Sequence, residues 1–416
     1  MPTEATTAVE ALFRIELPRL LGGLARLVGD LDLAEELAQD ALVDALAQWP
    51  EEGVPRNPGA WLMTVVKRKA IDRIRRDRTF AAKQAQLVAA LDPAVSPTEA
   101  DPDHIVDDRL RLLFVSCHPV LPVPSRIALS LRMLGGLTTA EVARAFLQPE
   151  ATVAQRIVRA KKAIAEAGVP FEVPTGEDRA ARLASVLEVV YLIFNEGYSA
   201  TAGDDWVRPD LCGEALRLAR LLAALLPAEP EVHGLLALVE LQSSRLAARL
   251  GPDGEPVLLL DQDRRRWDPL LIRRGTASLD RSMSLTDAPG PYALQAAIAA
   301  CHARAVHAED TDWAAIVGWY DLLVRAMPSP VVELNRAVAV SMRSGPADAL
   351  EVVDDLVGRG SLDRYHLMHS VRGDLLDRLG RHDDAADAFD LAASLAQNAR
   401  DRQLLADRAS RARRGT

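Results

Sequence analysis

Apolar positions recur at helical spacing along almost the whole chain and predict a protein built from helices. Between Leu31 and Trp49, Leu33, Leu37, Ala41 and Ala45 share one stripe, while Glu35, Glu36, Gln39 and Asp40 lie outside it. Asn57-Pro58-Gly59 marks a turn, and a second helix is predicted from Ala60 to Arg78. The segment from Gln84 to Asp108, polar and acidic with Pro93, Pro97 and Pro102, reads as a linker. Next comes a short helix, Arg126 to Leu134, broken by Gly135-Gly136. Thr138 is placed to cap a helix ending near Phe146, and Pro149 sits in the first turn of one running through Glu166. Helix, short turn and helix is the spacing of a helix-turn-helix.

From Glu177 onward the pattern is one of helical hairpins, and a period emerges towards the end. Ala315, Ala349 and Ala385 recur, with Trp319, Val353 and Phe389 four places after each. Gly373, Ala385, Phe389 and Ala392 fall on a tetratricopeptide pattern, in which small residues let paired helices approach. Leu211 to Pro227 followed by Glu231 to Leu250 reads as an earlier, more degenerate copy. The stretch Gly251 to Trp267 fits no repeat, and Val257 to Leu260 is its strand-like run.

Composition changes this picture in two places. Four per cent aromatic and 26% charged residues suit soluble helical domains, and no apolar run reaches membrane-spanning length. With acids rather than a basic, then apolar, stretch at its N-terminus, the chain reads as cytoplasmic, with no membrane partner. Three well-separated cysteines, Cys117, Cys212 and Cys301, indicate neither a disulfide framework nor a zinc knuckle. The net charge of −10 argues against a nucleic-acid binder until its distribution is considered. Residues 1–55 carry net −8, residues 56–83 net +7 and residues 84–108 net −6. A basic patch thus lies between acidic neighbours, and local potential governs DNA contact.

That patch is one face of a helix. On a wheel, Leu62, Met63, Val66, Ala70 and Ile74 gather on the core side. Arg68, Lys69, Arg75 and Arg76 oppose them, with Lys67 and Arg73 on the flanks. An ordinary solvated face mixes signs, whereas this one holds only Asp72 and Asp77 against its cations, so it is read as a phosphate-binding stripe. Trp61 is placed either to pack in the core or to stack on an unpaired base. On the helix beginning near Glu150, Val153, Ile157, Ala160 and Ile164 form the buried stripe. Thr152, Gln155, Arg156, Arg159 and Lys162 form the exposed one. Residues near the start of such a helix read base edges, while Arg159, Lys161 and Lys162 are expected to grip phosphate.

In this order the two units resemble the extracytoplasmic-function type of RNA polymerase sigma factor. AEELAQDAL (34–42) is similar to that family's polymerase-clamp helix, and PGAWL (58–62) with KRKAIDRIRR (67–76) to its minus-ten helix. GLTTAEVA (136–143) and ATVAQRIVRAK (151–161) resemble its minus-thirty-five helix-turn-helix. DDRLR (107–111), CHP (117–119), FNEGY (194–198), DQDR (261–264) with Trp267, TDW (311–313) and LNRAV (334–338) resemble the subgroup with a C-terminal tetratricopeptide-like domain. Arg68 stands where the wider family commonly has Asn, which changes the contact available to a promoter base.

The resemblance implies an all-α chain. Residues 1–80 would be sigma domain 2, 81–108 an acidic linker, 109–168 sigma domain 4 and 177–416 a helical regulatory domain. Glu35, Glu36, Gln39 and Asp40 would dock on core RNA polymerase, whose beta-prime clamp and beta flap are the expected partners. Thr152, Gln155, Arg156, Arg159 and Lys162 would hold the upstream promoter element. Trp61, Lys67, Arg68, Lys69, Arg73, Arg75 and Arg76 would capture the downstream element as it melts. The repeats imply a fused regulator with a protein or peptide partner, and some contact between that domain and the sigma part is expected to be needed for activity. Asn195, Glu196, Tyr198, Asp261, Asp263, Arg264 and Trp267 are candidates for that contact or for a ligand pocket, weighed against a purely structural role, which is favoured. No cofactor or metal is expected, and no catalytic spacing supports an enzyme. The competing readings are an operator-binding helix-turn-helix regulator with a sensing repeat domain, and an interaction scaffold.

Overall fold

In the computed structural model, residues 4–76, 102–146, 148–199, 206–252, 254–360 and 362–414 are described. Among them are eighteen α-helices and no strand; the only β-type contact is an isolated antiparallel bridge between Leu250 and Pro256. The expected strand-like run 257–260 instead enters a 3-10 turn at Leu259–Asp261. None of the described helices is long and apolar enough to cross a membrane. The chain divides into two compact units, 1–190 and 191–416.

The first unit opens with α1 (Glu4–Val28), α2 (Leu31–Glu52) and α3 (Pro58–Arg76). Asp30 starts α2 by accepting from the amides of Asp32 and Leu33 at 2.7 and 3.0 Å, and Asn57 does the same for Ala60 at the start of α3. Of the stripes read from sequence, Leu37, Ala41 and Ala45 on α2 and Leu62, Val66 and Ala70 on α3 are buried, Leu33 and Met63 are half-buried, and the Ile74 side chain lies outside the described residues; Ala34 joins the buried face of α2. Helix α4 (Pro102–Ser116) begins inside the segment expected to be linker. It crosses α1 so closely that a Cβ at Gly22 would lie 2.4 Å from the carbonyl oxygen of Asp108, which leaves room only for glycine. The buried Asp108 carboxylate then accepts from Arg26 at 3.0 Å and Arg111 at 2.7 Å. The DDRLR segment is therefore a helix-helix clamp.

Helices α5 (Val123–Met133), α6 (Thr139–Ala145) and α7 (Glu150–Glu166) form the helix-turn-helix. The expected Thr138 cap is a full capping box, the Thr138 hydroxyl accepting from Glu141 N at 3.1 Å and the Glu141 carboxylate from Thr138 N at 2.7 Å. Arg126 of α5 reaches Ser185 Oγ (2.5 Å) and Glu188 (2.9 Å) on α8 (Gly176–Tyr198), and Ser185 donates to the Cys117 carbonyl. Burial pushes the Cys117 thiol up to about 12, although Ser130 and Arg126 oppose it.

The second unit continues with α9 (Pro209–Leu225), α10 (Pro230–Ser243), α11 (Pro269–Ser284) and α12 (Pro291–Arg304). Three hairpins follow: α13 (Trp313–Ala326) with α14 (Pro330–Ser344), α15 (Pro346–Gly358) with α16 (His366–Arg378), and α17 (His382–Leu395) with α18 (Ala399–Arg414). The repeat positions behave as their spacing requires. Ala349, Val353, Ala385 and Phe389 are buried in one cluster, and a Cβ at Gly373 would lie 2.8 Å from the Phe389 ring. Ala315 and Trp319 are only half-buried, consistent with their place at the start of the array.

Candidate nucleic-acid and polymerase interface

Helix α2 turns Glu36, Gln39 and Asp40 to solvent, opposite its buried stripe. Helix α3 lies against it and turns out Lys67 and Arg68. Its two other described cations reach back to α2: Lys69 pairs with Asp44 at 2.9 Å and Arg73 with Glu36 at 3.7 Å. Both pairs are exposed enough to contribute little and to exchange for phosphate. The side chains of Arg75 and Arg76 lie outside the described residues. Trp61 is half-buried, its ring edge-on to Trp49 at a centroid distance of 5.3 Å. One part of the indole is thus fixed in the core and the other remains reachable.

On α7 the buried stripe is Val153, Ile157, Ala160 and Ile164, as expected. Thr152, Gln155, Arg159 and Lys162 are exposed and Arg156 is half-buried, so all five candidate DNA-binding residues share the outward face. Lys161 does not join them, which corrects its expected phosphate role. Its side chain is 8% exposed and its ammonium donates to Asp32 at 2.8 Å and Glu35 at 2.5 Å. Arg132 of α5 also pairs with Glu35.

Glu35 is therefore set apart from the other candidate polymerase contacts. Burial acts to raise its pKa, but Lys161 and Arg132 together outweigh burial and hold the carboxyl below its usual value. The helix-turn-helix covers one end of the acidic surface on α2. Helical spacing already sets the two lysines apart, Lys161 lying four residues after Ile157 and three before Ile164 at the edge of the buried stripe, and its ion pairs with Asp32 and Glu35 complete the separation.

Comparison with known proteins follows the same order along the chain. Sigma-70 region 2 matches residues 12–80, and Sigma-70, region 4 matches residues 111–164. An ECF RNA polymerase sigma factor SigK of Mycobacterium sp. (strain KMS) is 30% identical over 155 residues, covering 36% of this chain and 77% of that protein. The chain belongs to the extracytoplasmic-function family of sigma factors. A probable ECF RNA polymerase sigma factor SigI of Mycobacterium tuberculosis (strain ATCC 25618 / H37Rv) is 26% identical over 180 residues, 43% of this chain and 61% of its own. An uncharacterized protein of Rhizobium meliloti (strain 1021) is 50% identical over 385 residues, 92% of this chain and 90% of its own, so the C-terminal extension occurs there too. A family of unknown function, DUF6596, matches residues 182–283. This is thus an alternative sigma factor with an extra helical C-terminal domain, and its sigma domains bind core RNA polymerase and promoter DNA.

In that extra domain the candidate regulatory residues separate into two groups. Glu196 is tied to Arg208 at 2.6 Å, and Asn195 is exposed near the end of α8. Asp263 caps the 3-10 turn Arg264–Arg266 and holds Arg265 at 2.9 Å, while Asp261 faces a cavity of about 630 Å³ lined also by Arg378, Arg408 and Arg411. Tyr198, Arg264 and Trp267 come together instead. Arg264 donates to the carbonyls of His302 and Ala305 at 2.6 and 2.7 Å and to Thr311 Oγ1 at 2.9 Å, with its guanidinium 5.1 Å from the Trp267 ring. Sequence reasoning missed two members of this group, Arg245 and Arg249, which belong to no motif; their only signal was a pair of arginines after an apolar helix.

His302 completes the group, edge-on to Trp313. Burial, then Arg245 and Arg264, push its pKa down to about 4 from 6.5. The unfolded chain therefore takes up a proton across that range while the folded one does not. The stability of the second unit is expected to fall by about 3 kcal/mol as the pH drops from the upper to the lower value. Urea unfolding followed by tryptophan fluorescence tests this: His302→Gln should flatten the pH dependence, and an unchanged slope would refute the assignment.

Proposed function

We propose that Glu36, Gln39 and Asp40 dock this sigma factor on the beta-prime clamp of core RNA polymerase, and that Glu35 joins them once Lys161 and Arg132 let go. The α7 face of Thr152, Gln155, Arg156, Arg159 and Lys162 holds the minus-thirty-five element as duplex, near the beta flap. Gln155 and Arg156, nearest the start of the helix among the long side chains, read base edges, while Arg159 and Lys162 hold phosphate. On α3, Lys67 meets the backbone of the minus-ten element and Arg68 its backbone and an adjoining base, joined by Lys69 and Arg73 as they trade their α2 carboxylates for phosphate. Trp61 offers a face to an unstacked base. The repeats act as a fused regulator. The observation that carries this reading is that both cationic faces point outward while one clamp carboxylate is engaged by the helix-turn-helix.

Run-off transcription with core polymerase on a promoter-fragment library tests it. The full-length chain should direct initiation from a defined subset, and should bind those fragments weakly without polymerase. Tight operator-like binding by the chain alone, with no initiation, would overturn the reading in favour of an ordinary helix-turn-helix regulator.

A further inference from the structure

Arg245 and Arg249 flank a 3-10 turn, Leu246–Ala248, just beyond α10, and retain only 8% and 6% of their exposure. The Arg249 guanidinium lies 3.8 Å from the Tyr198 ring and 4.3 Å from the Trp206 ring. Arg245 lies 5.7 Å from Tyr198 and 5.5 Å from Trp267. Among the described residues neither guanidinium has a hydrogen-bonding or ion-pairing partner, and the charged neighbours of Arg245 are Arg249 and Arg264. The Nε atoms of all three arginines, Trp267 Nε1 and Tyr198 Oη are buried and without hydrogen bonds.

Guanidinium does not shed its proton at any ordinary pH, so the charges stay. Contact with aromatic rings only partly replaces the hydration that a buried ion gives up, and here like charges are buried together. The complement that such a group calls for is an anion. The unmet groups are almost all donors, and they outnumber what one carboxylate can accept. A phosphate dianion offers matching charge and several acceptor oxygens to arginine forks.

We propose that Arg245, Arg249 and Trp267 bind the phosphate of a small phosphorylated molecule within the C-terminal domain. Inorganic phosphate is the probe, added in millimolar amounts to the full-length chain at constant ionic strength. It should bind stoichiometrically in equilibrium dialysis and, at a hundredfold excess over Kd, raise the unfolding temperature by about 5 °C. Arg245→Gln should abolish both effects, and Arg249→Lys, which keeps the charge but loses the fork, should weaken binding at least tenfold. Arg273→Gln, at an exposed position on α11, should change neither. Absence of binding by the wild-type chain overturns the site, as does a temperature shift that Arg245→Gln retains, the mark of general salt exclusion. A shift given by succinate but not phosphate overturns the phosphate assignment. Dialysis against the folded wild-type chain keeps the test decisive if Arg245→Gln does not fold.

Discussion

Lys161→Ala is expected to raise the affinity of the full-length sigma factor for core RNA polymerase about tenfold, although it deletes a cation from the helix proposed to hold DNA. Lys161 is buried between Asp32 and Glu35, and Glu35 is also held by Arg132. On the docking proposed for α2, polymerase would compete with these contacts. Where the competent form is a tenth of the population, apparent affinity is lowered by that fraction, and freeing it restores about 1.4 kcal/mol. Removing one partner of a buried pair costs the closed form more than this, about 3–5 kcal/mol when both groups are fully desolvated. The gain should therefore be limited by the closed population rather than by the pair. Fluorescence titration of labelled protein with core enzyme measures the effect, and Lys162→Ala, at an exposed lysine paired with Glu166 on the same helix, is the control. Equal or weaker binding by Lys161→Ala would show that the carboxylates are not part of the docking surface.

The second large effect lies on α3. Reversing Lys67 and Arg68 together to Glu should lower run-off transcription about a hundredfold while leaving polymerase binding within about twofold. These two cations are exposed, and among the described residues no ion pair holds them, unlike Lys69 and Arg73. They are thus available to DNA at no cost to the fold. The salt dependence of promoter opening should become shallower by about one unit for each phosphate that is no longer neutralised. On the resemblance of α3 to the family's minus-ten helix, Arg68 would take the position of a common Asn, so Arg68→Asn alone should alter which base is preferred there more than overall activity. Near-normal transcription from the double Glu variant would move promoter melting away from this helix.

The parts of this architecture legible in sequence are those fixed by local periodicity. The stripes of α2, α3 and α7 repeat over several turns, so their buried and outward faces could be separated before any tertiary contact was known. The Thr138 box and the small residues at Ala349, Gly373 and Ala385 were legible for the same reason. What escaped depends on long-range packing. Lys161 sits at the edge of the buried stripe of α7, but its partners Asp32 and Glu35 lie more than a hundred residues away and could not be read from that spacing. Asp108 read as the end of an acidic linker, yet it is the buried acceptor between Arg26 and Arg111 in a helix that begins at Pro102. The apolar run 257–260 suggested a strand, but with no neighbouring strand among the described residues it becomes a loop with a 3-10 turn. Arg245 and Arg249 carry no motif, and their meaning comes from three aromatic rings supplied by distant parts of the sequence.

The contact between Arg126, Ser185 and Glu188 bears on how such a protein could have been assembled. Likeness to the sigma-70 region 4 family ends at residue 164, but the first compact unit continues to residue 190. A gene fusion made just beyond the recognisable sigma sequence would lack the hydroxyl and carboxylate that hold Arg126, as well as the donor to the Cys117 carbonyl. The match to the family of unknown function begins at residue 182, so Ser185 and Glu188 come from the C-terminal segment and tie it to the sigma part. Exchange of the C-terminal extension for an unrelated one would be expected to release Arg126 and the Cys117 carbonyl unless the first half of α8 were kept with the sigma part.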